Sequence, residues 1–304
     1  MSSTVQPRGT TKIALTAHSW LVYLFFFAPI FVLIVFSFSD DRNVGRWGGF
    51  TLEWYQDFVE HSQLQNAVWV SIRVALLSTV ISVVLGTLGA LALERFKFKG
   101  RKVFDALLYL PIIIPDVTMA VMMLLFFAEF FEILESVFGW DVQKGLGSIT
   151  ISHIAFNISF VSVVVRARLA GMSEVLEEAA LDLYATRWKT FRYVTFPQIV
   201  PGVAGGALLA LTLSLDDVVI TQFAAGPGAT TLPVFVFGLI RRGVTPLINA
   251  TSVLMLAASV ILVALSLAFQ QFSGRGGRPS LRAAREAVSA PSTTNTQIKE
   301  GITQ

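Results

Sequence analysis

The sequence predicts an all-α polytopic membrane protein with six transmembrane helices and both termini in the cytoplasm. Three observations predict it: an apolar composition, six long apolar runs, and an uneven placement of basic residues. Of the 304 residues, 54% are hydrophobic and 14% are charged, against about 25% charged in an average soluble domain. A mean hydropathy of +0.67 points the same way. A bilayer core about 30 Å thick needs about 20 apolar residues per helix. The runs that qualify are Ser19 to Ser39, Ile72 to Leu93, Phe104 to Phe131, Ile149 to Val165, Val203 to Phe223 and Leu247 to Gln271. With the N-terminus inside, 17 of the 23 Lys and Arg residues fall on inner segments and 5 on outer loops. The last, Arg73, falls at the start of the second span. Basic residues are retained on the cytoplasmic side, so this split sets the orientation.

Residues 1–18 are polar, carry Arg8 and Lys12, and form a cytoplasmic N-terminal segment. The run that follows lacks a small-residue cleavage site and reads as a retained signal anchor. The outer loop, 40–71, carries Trp47, Trp54, Tyr55 and Trp69, residue types that settle at membrane interfaces. Gly86, Gly89 and Ala90 in the second span, and Gly202, Gly205 and Gly206 in the fifth, suit close helix contact. His153 and Asn157 lie four apart on the fourth span and read as interhelical hydrogen-bond partners. Glu94, among basic residues at the inner end of the second span, reads as ion-paired or solvated. The transmembrane domain covers 19–272, and 273–304 reads as a disordered cytoplasmic tail rich in Gly, Arg, Ser and Thr.

The longest inner loop, 166–202, has its own helical pattern. Ser173 to Asp182 holds good helix formers behind a Ser173 N-cap, with acidic residues in the first turns. A second short helix fits Thr186 to Val194, with Pro197 and Pro201 expected to end it. A structured hairpin between spans is a natural docking knob, although an amphipathic hairpin with no further role has the same pattern.

Acidic residues inside spans carry the chemistry. An Asp at mid-helix costs about 2.5–3.5 kcal/mol on insertion scales, so it faces a protein interior or a wet cavity. The third span is interrupted by Pro111, Pro115 and Asp116. Proline lacks a donor and kinks a helix, and broken helices at membrane depth line cavities. The fifth span holds Asp216 and Asp217, with Thr212 and Ser214 just before. Adjacent helical positions diverge by about 100°, so one carboxylate can face a pathway while the other caps or pairs elsewhere. The functional reading is an anionic path for an ammonium-bearing solute, formed by Asp116, Asp216, Asp217 and Ser214. Trp54 and Tyr55 would add cation–π contacts at the outer mouth. The competing reading has the acids capping broken helices or pairing with another subunit. Glu129 lies nearer a span end, where it can snorkel.

Other chemistries have no support. The chain has no cysteine and three scattered histidines, at 18, 61 and 153, so no metal site is expected. It lacks a GxxxxGK[ST] phosphate loop, HExxH and any dinucleotide fingerprint. No enzymatic activity, cofactor or nucleic-acid partner of its own is expected. Lipid is its surrounding solvent.

Glu178-Ala179-Ala180, followed by Val194-Thr195-Phe196-Pro197, resembles the EAA motif of ABC importer permeases. Tyr184 stands where that family usually has Gly, and Phe196 where it has Leu. Glycine there permits φ > 0. Five further segments look like the second permease subunit of the spermidine/putrescine importers: Ser214 to Ile220, Gly226-Pro227 with Leu232-Pro233, Trp54-Tyr55, Pro115-Asp116, and Val244 to Ala250. The resemblance covers about residues 20–272. It implies a type I, MetI-like permease fold, with Glu178, Ala179, Ala180, Tyr184 and Pro197 in an ATPase-coupling loop. It also implies a dimer of ATP-binding subunits that bind the ATP, a second permease subunit in a heterodimer, and an extracytoplasmic solute-binding protein. Polyamines are the implied solute. Similar subunits move opine-like and aminophosphonate compounds, and an ion-coupled carrier remains the reading from another class.

Overall fold

A computed structural model describes residues 9–173, 175–243 and 245–274. The chain divides into two units, Met1–Val263 and Ala264–Gln304. The described part of the second is residues 264–274, all helical. Glu174, Val244 and most of the expected tail lie outside the described residues.

Among the described residues, six helices are long and apolar enough to cross a membrane. The first, α1 (Gly9–Phe36), starts ahead of its expected bound and is followed by the short α2 (Glu53–Glu60). Next comes α3 (Ser62–Arg95), 34 residues long. At 1.5 Å per residue it is about 51 Å, more than the bilayer core. Arg73 therefore sits within α3 and not at its start, a correction to the expected bound. The expected third span is two helices, α4 (Arg101–Ile113) and α5 (Asp116–Phe138), divided by extended Ile114 and Pro115. The fourth span is α6 (Leu146–Ala170).

The inner loop contains α7 (Val175–Asp182) and α8 (Arg187–Thr190). A π-helical turn at Phe191–Thr195 then leads into α9 (Phe196–Asp216). The described residues thus carry one apolar helix from Arg187 to Asp216. Pro197 and Pro201 do not end it, contrary to the sequence expectation. Pro197 lacks a donor but directly follows the π turn, whose i→i−5 bonding (Phe196 N–H to the Phe191 carbonyl) skips a position in the ladder. The wider π turn ahead of it takes up the steric demand of the ring. The chain continues through α10 (Val219–Ala224), α11 (Leu232–Arg242) and α12 (Pro246–Gly274).

The centre of the bundle is α3, α6 and α9, which pack on one another around Ala90, Val161, Val165, Leu169, Ile199 and Ala210. Small residues permit the approach. A Cβ added at Gly86 would lie 2.8 Å from Val161 Cβ, and one at Gly206 would lie 3.3 Å from Val161 Cγ1. Val161 is thus wedged between two helix backbones. A second cluster joins α3, α11 and α12 through Leu64, Leu232, Val236 and Ile248. Met119, Ala120 and Ile220 join α5 to α10. By contrast, α1 buries none of its apolar window within the chain. No strand occurs among the described residues, only an isolated bridge between Ser39 and Phe50.

Candidate translocation pathway and coupling loop

The fifth span breaks at Asp217, whose backbone is extended (φ −65°, ψ 129°). The break leaves the first amides of α10 without helical acceptors. Asp217 supplies them: Oδ2 accepts from the Thr221 amide at 2.7 Å and Oδ1 from the Ile220 amide at 3.3 Å. The Thr221 hydroxyl also donates to Oδ2 at 2.7 Å. His153 Nε2 lies 3.4 Å from the same oxygen and 3.0 Å from Thr221 Oγ1. Asp217 is therefore engaged inside the protein, with its side chain 15% exposed.

Ser214 belongs to the same interior. It accepts from Asn157 Nδ2 at 2.7 Å and shares a hydrogen bond with Ser78 Oγ at 3.0 Å. His153 and Asn157 make the interhelical hydrogen bonds that their spacing predicted, both to the fifth span and the segment after it. Serine hydroxyls extend the pattern outward: Ser71 Oγ accepts from the Leu232 amide, and Ser148 Oγ donates to the Ala224 carbonyl, each at 2.8 Å.

Asp216 diverges from its neighbour. It is exposed and lies in a cleft of about 440 Å³ between α3, α9 and α12, with Ser71, Thr212, Leu215, Leu254 and Met255. Asp116 is exposed as the first residue of α5, directly after the Pro115 break, where the positive end of the helix dipole favours a carboxylate. Neither side chain reaches another described residue by a hydrogen bond or ion pair. Trp54 and Tyr55 are half-buried and use their polar atoms within the chain. Trp54 Nε1 donates to the Ser39 carbonyl at 2.8 Å, and Tyr55 Oη lies 2.8 Å from Ser37 Oγ. They fasten α2 to the outer end of α1.

At the inner end, Arg166 on α6 gathers two other helices. Its Nε pairs with Glu94 on α3 at 2.8 Å and its Nη1 with Asp105 on α4 at 2.5 Å. Its guanidinium also stacks 5.6 Å over the Tyr109 ring. Glu94 is thus ion-paired, one of its two expected states. Nothing in the sequence pattern marked Arg166 beyond its place on an inner segment.

In the inner loop, α7 ends in a six-residue C-cap. The Ala185 amide reaches the Ala180 carbonyl at 3.1 Å and the Tyr184 amide reaches Leu181 at 2.9 Å. This Schellman pattern requires a left-handed residue between its two bonds. That residue is Tyr184, with φ 61°, the one non-glycine at positive φ among the described residues. The motif's glycine position keeps its glycine conformation although a tyrosine occupies it. Glu178, Ala179 and Pro197 are exposed, and Ala180 is half-buried. The sequence reading missed Glu177, which bonds Arg95 and Thr195.

Residues 82–276 match the family model described as binding-protein-dependent transport system inner membrane component. The chain belongs to that family. It is similar to the putrescine transport system permease protein PotI of Escherichia coli strain K12, at 38% identity over 78% of this chain and 84% of PotI. It is also similar to the spermidine/putrescine transport system permease protein PotC of the same strain, at 34% identity over 81% of this chain and 89% of PotC. The fold matches a crystal structure of a bacterial ABC transporter involved in alginate import. That match has a TM-score of 0.72 and covers 89% of this chain and 97% of that one, at 19% identity. The family's description and the six apolar helices make this a multi-pass inner-membrane permease subunit.

Proposed function

We propose that this permease subunit forms half of the path by which an ATP-driven importer carries a polyamine, putrescine or spermidine. A second permease subunit supplies the other half, and an extracytoplasmic binding protein delivers the solute. Two ATPase subunits bind the ATP and dock on α7 through Glu178 and the adjacent alanines. The observation that carries the substrate reading is the pair of carboxylates Asp116 and Asp216. Each sits beside a helix break, exposed and without a partner among the described residues. In a low-dielectric path a carboxylate attracts an ammonium far more strongly than it does in water. Asp217 contributes by holding the break that presents Asp216.

The test is uptake of labelled putrescine and spermidine by the complete importer in proteoliposomes. Asp116→Asn and Asp216→Asn each keep side-chain volume and remove the charge. Each is expected to lower uptake by about ten-fold while the ATPase subunits still co-purify. Uptake at the parent rate by both assembled variants would remove the acids from the path. Glu178→Lys addresses docking separately: it is expected to lose the ATPase subunits on purification, and their full retention would take Glu178 out of the docking site.

A further inference from the structure

The coupling helix carries a second glutamate whose position differs from that of Glu178. Glu178 is exposed and engages no described residue. Glu177, about 100° around the helix, points back at the bundle. Its Oε1 accepts from Arg95 Nη2 at 2.9 Å and from Thr195 Oγ1 at 2.9 Å. Arg95 is the last residue of α3 and Thr195 the last of the π turn that feeds α9. One carboxylate oxygen therefore joins the coupling helix to the inner ends of two central spans.

This bridge is what α7 has in place of apolar packing. The helix buries no side chain, and a cleft of about 880 Å³, lined by Leu88, Leu91 and Ala92, opens between it and α3. The Arg95 and Glu177 side chains are each 20% exposed, so their bond is shielded and charge-assisted. Thr195 is 5% exposed, and its hydroxyl donates to Glu177 where a helical threonine usually bonds its own backbone. The two joined spans meet again at depth through Ser78 and Ser214, two residues before Asp216.

We infer that Glu177 is a positioning residue for energy coupling: it transmits movement of the docked α7 to α3 and α9. The inference rests on the reading that the ATPase docks on α7. The π turn supports it, because such a turn inside a helix is a frequent site of functional adjustment. Turning α7 draws Arg95 and Thr195 with it, shifting two spans that flank the Asp216 cleft.

The experiment compares putrescine uptake per ATP hydrolysed in the complete importer for three variants. Glu177→Gln keeps shape and loses charge. Arg95→Gln breaks the same bond from outside α7. The double variant Glu177→Arg with Arg95→Glu reverses the pair. Each single variant is expected to retain the ATPase subunits and hydrolyse ATP while importing about five-fold less per ATP. The reversed pair is expected to recover at least half of that loss. Parental uptake per ATP in Glu177→Gln overturns the inference. So does loss of the ATPase from Glu177→Gln with Arg95→Gln at parental values, which would make Glu177 a direct docking contact. Failure of both single variants to assemble overturns it too, by making the bond structural. Failure of the docking reading is seen separately, as retention of the ATPase by Glu178→Lys.

Discussion

At membrane depth, α3, α6, α9 and α10 are joined by hydroxyls, an amide, an imidazole and one carboxylate. At the inner end, α3, α4, α6 and α7 are joined by guanidinium–carboxylate pairs. Burial explains the difference. Ser78 and Asn157 are at most 1% exposed, whereas Arg166 and Glu94 are 19% and 26% exposed. A full charge far from water costs several kcal/mol even when paired, and neutral donors avoid that cost. Near the headgroups a charge keeps part of its hydration, so pairs can form there. Asp217 is the exception at depth, and the chain surrounds it with two amides, a hydroxyl and an imidazole. Distance from water thus decides which chemistry can join helices.

The largest expected effect comes from removing that exception. Asp217→Ala leaves the α10 amides and His153 without their acceptor, a loss of about 3 kcal/mol. The thermal midpoint of the purified protein in detergent should fall accordingly. Asp217→Asn keeps a side-chain oxygen to accept from those amides and should cost about 1 kcal/mol. An Ala variant that melts with the parent would show that the break stands without its carboxylate.

The inner network should respond less and should be replaceable. Arg166→Met strands Glu94 and Asp105 and is expected to cost about 2 kcal/mol, limited by their access to water. Adding Glu94→Gln and Asp105→Asn removes the stranded charges and should return stability to within about 1 kcal/mol of the parent. A triple variant no better than Arg166→Met would contradict the assignment of that loss to uncompensated charge.

Sequence periodicity showed the six spans because each long apolar run answers to bilayer thickness alone. The motif spacing also located the Tyr184 turn, since a C-cap in the left-handed region is a local backbone requirement. Asp216 and Asp217 do diverge, but because α9 ends at Asp216 and the Asp217 backbone is extended, not because both stand on one helix. What stayed hidden depends on contacts distant in sequence. Glu177 is engaged because Arg95, 82 positions away, reaches it. Trp54 and Tyr55 looked like free interface aromatics because nothing local reveals their bonds to Ser39 and Ser37. The continuity of α9 through Pro197 and Pro201 was misread because a π turn, which has no sequence signature, absorbs the disruption.

The smallest effect should arise at Tyr184, and it separates backbone from side chain at the inner end. The ring is 96% exposed, so its removal costs the chain almost no packing. A non-glycine residue in the left-handed region costs about 1 kcal/mol, and Tyr184→Gly removes that strain. Glycine also gains freedom in the unfolded chain, worth about 0.5–1 kcal/mol in the opposite direction. The two nearly cancel, so the thermal midpoint of Tyr184→Gly should match the parent's. Tyr184→Val should lie below both by about 1–2 kcal/mol, because a β-branched residue tolerates positive φ poorly. Uptake per ATP should follow the same order, with Gly at the parent value and Val reduced. That order would mean the inner loop needs only the turn. A Gly variant with parental stability and impaired uptake would instead assign the work to the ring, and an aromatic contact on the docked ATPase would replace backbone geometry as the reason for tyrosine at this position.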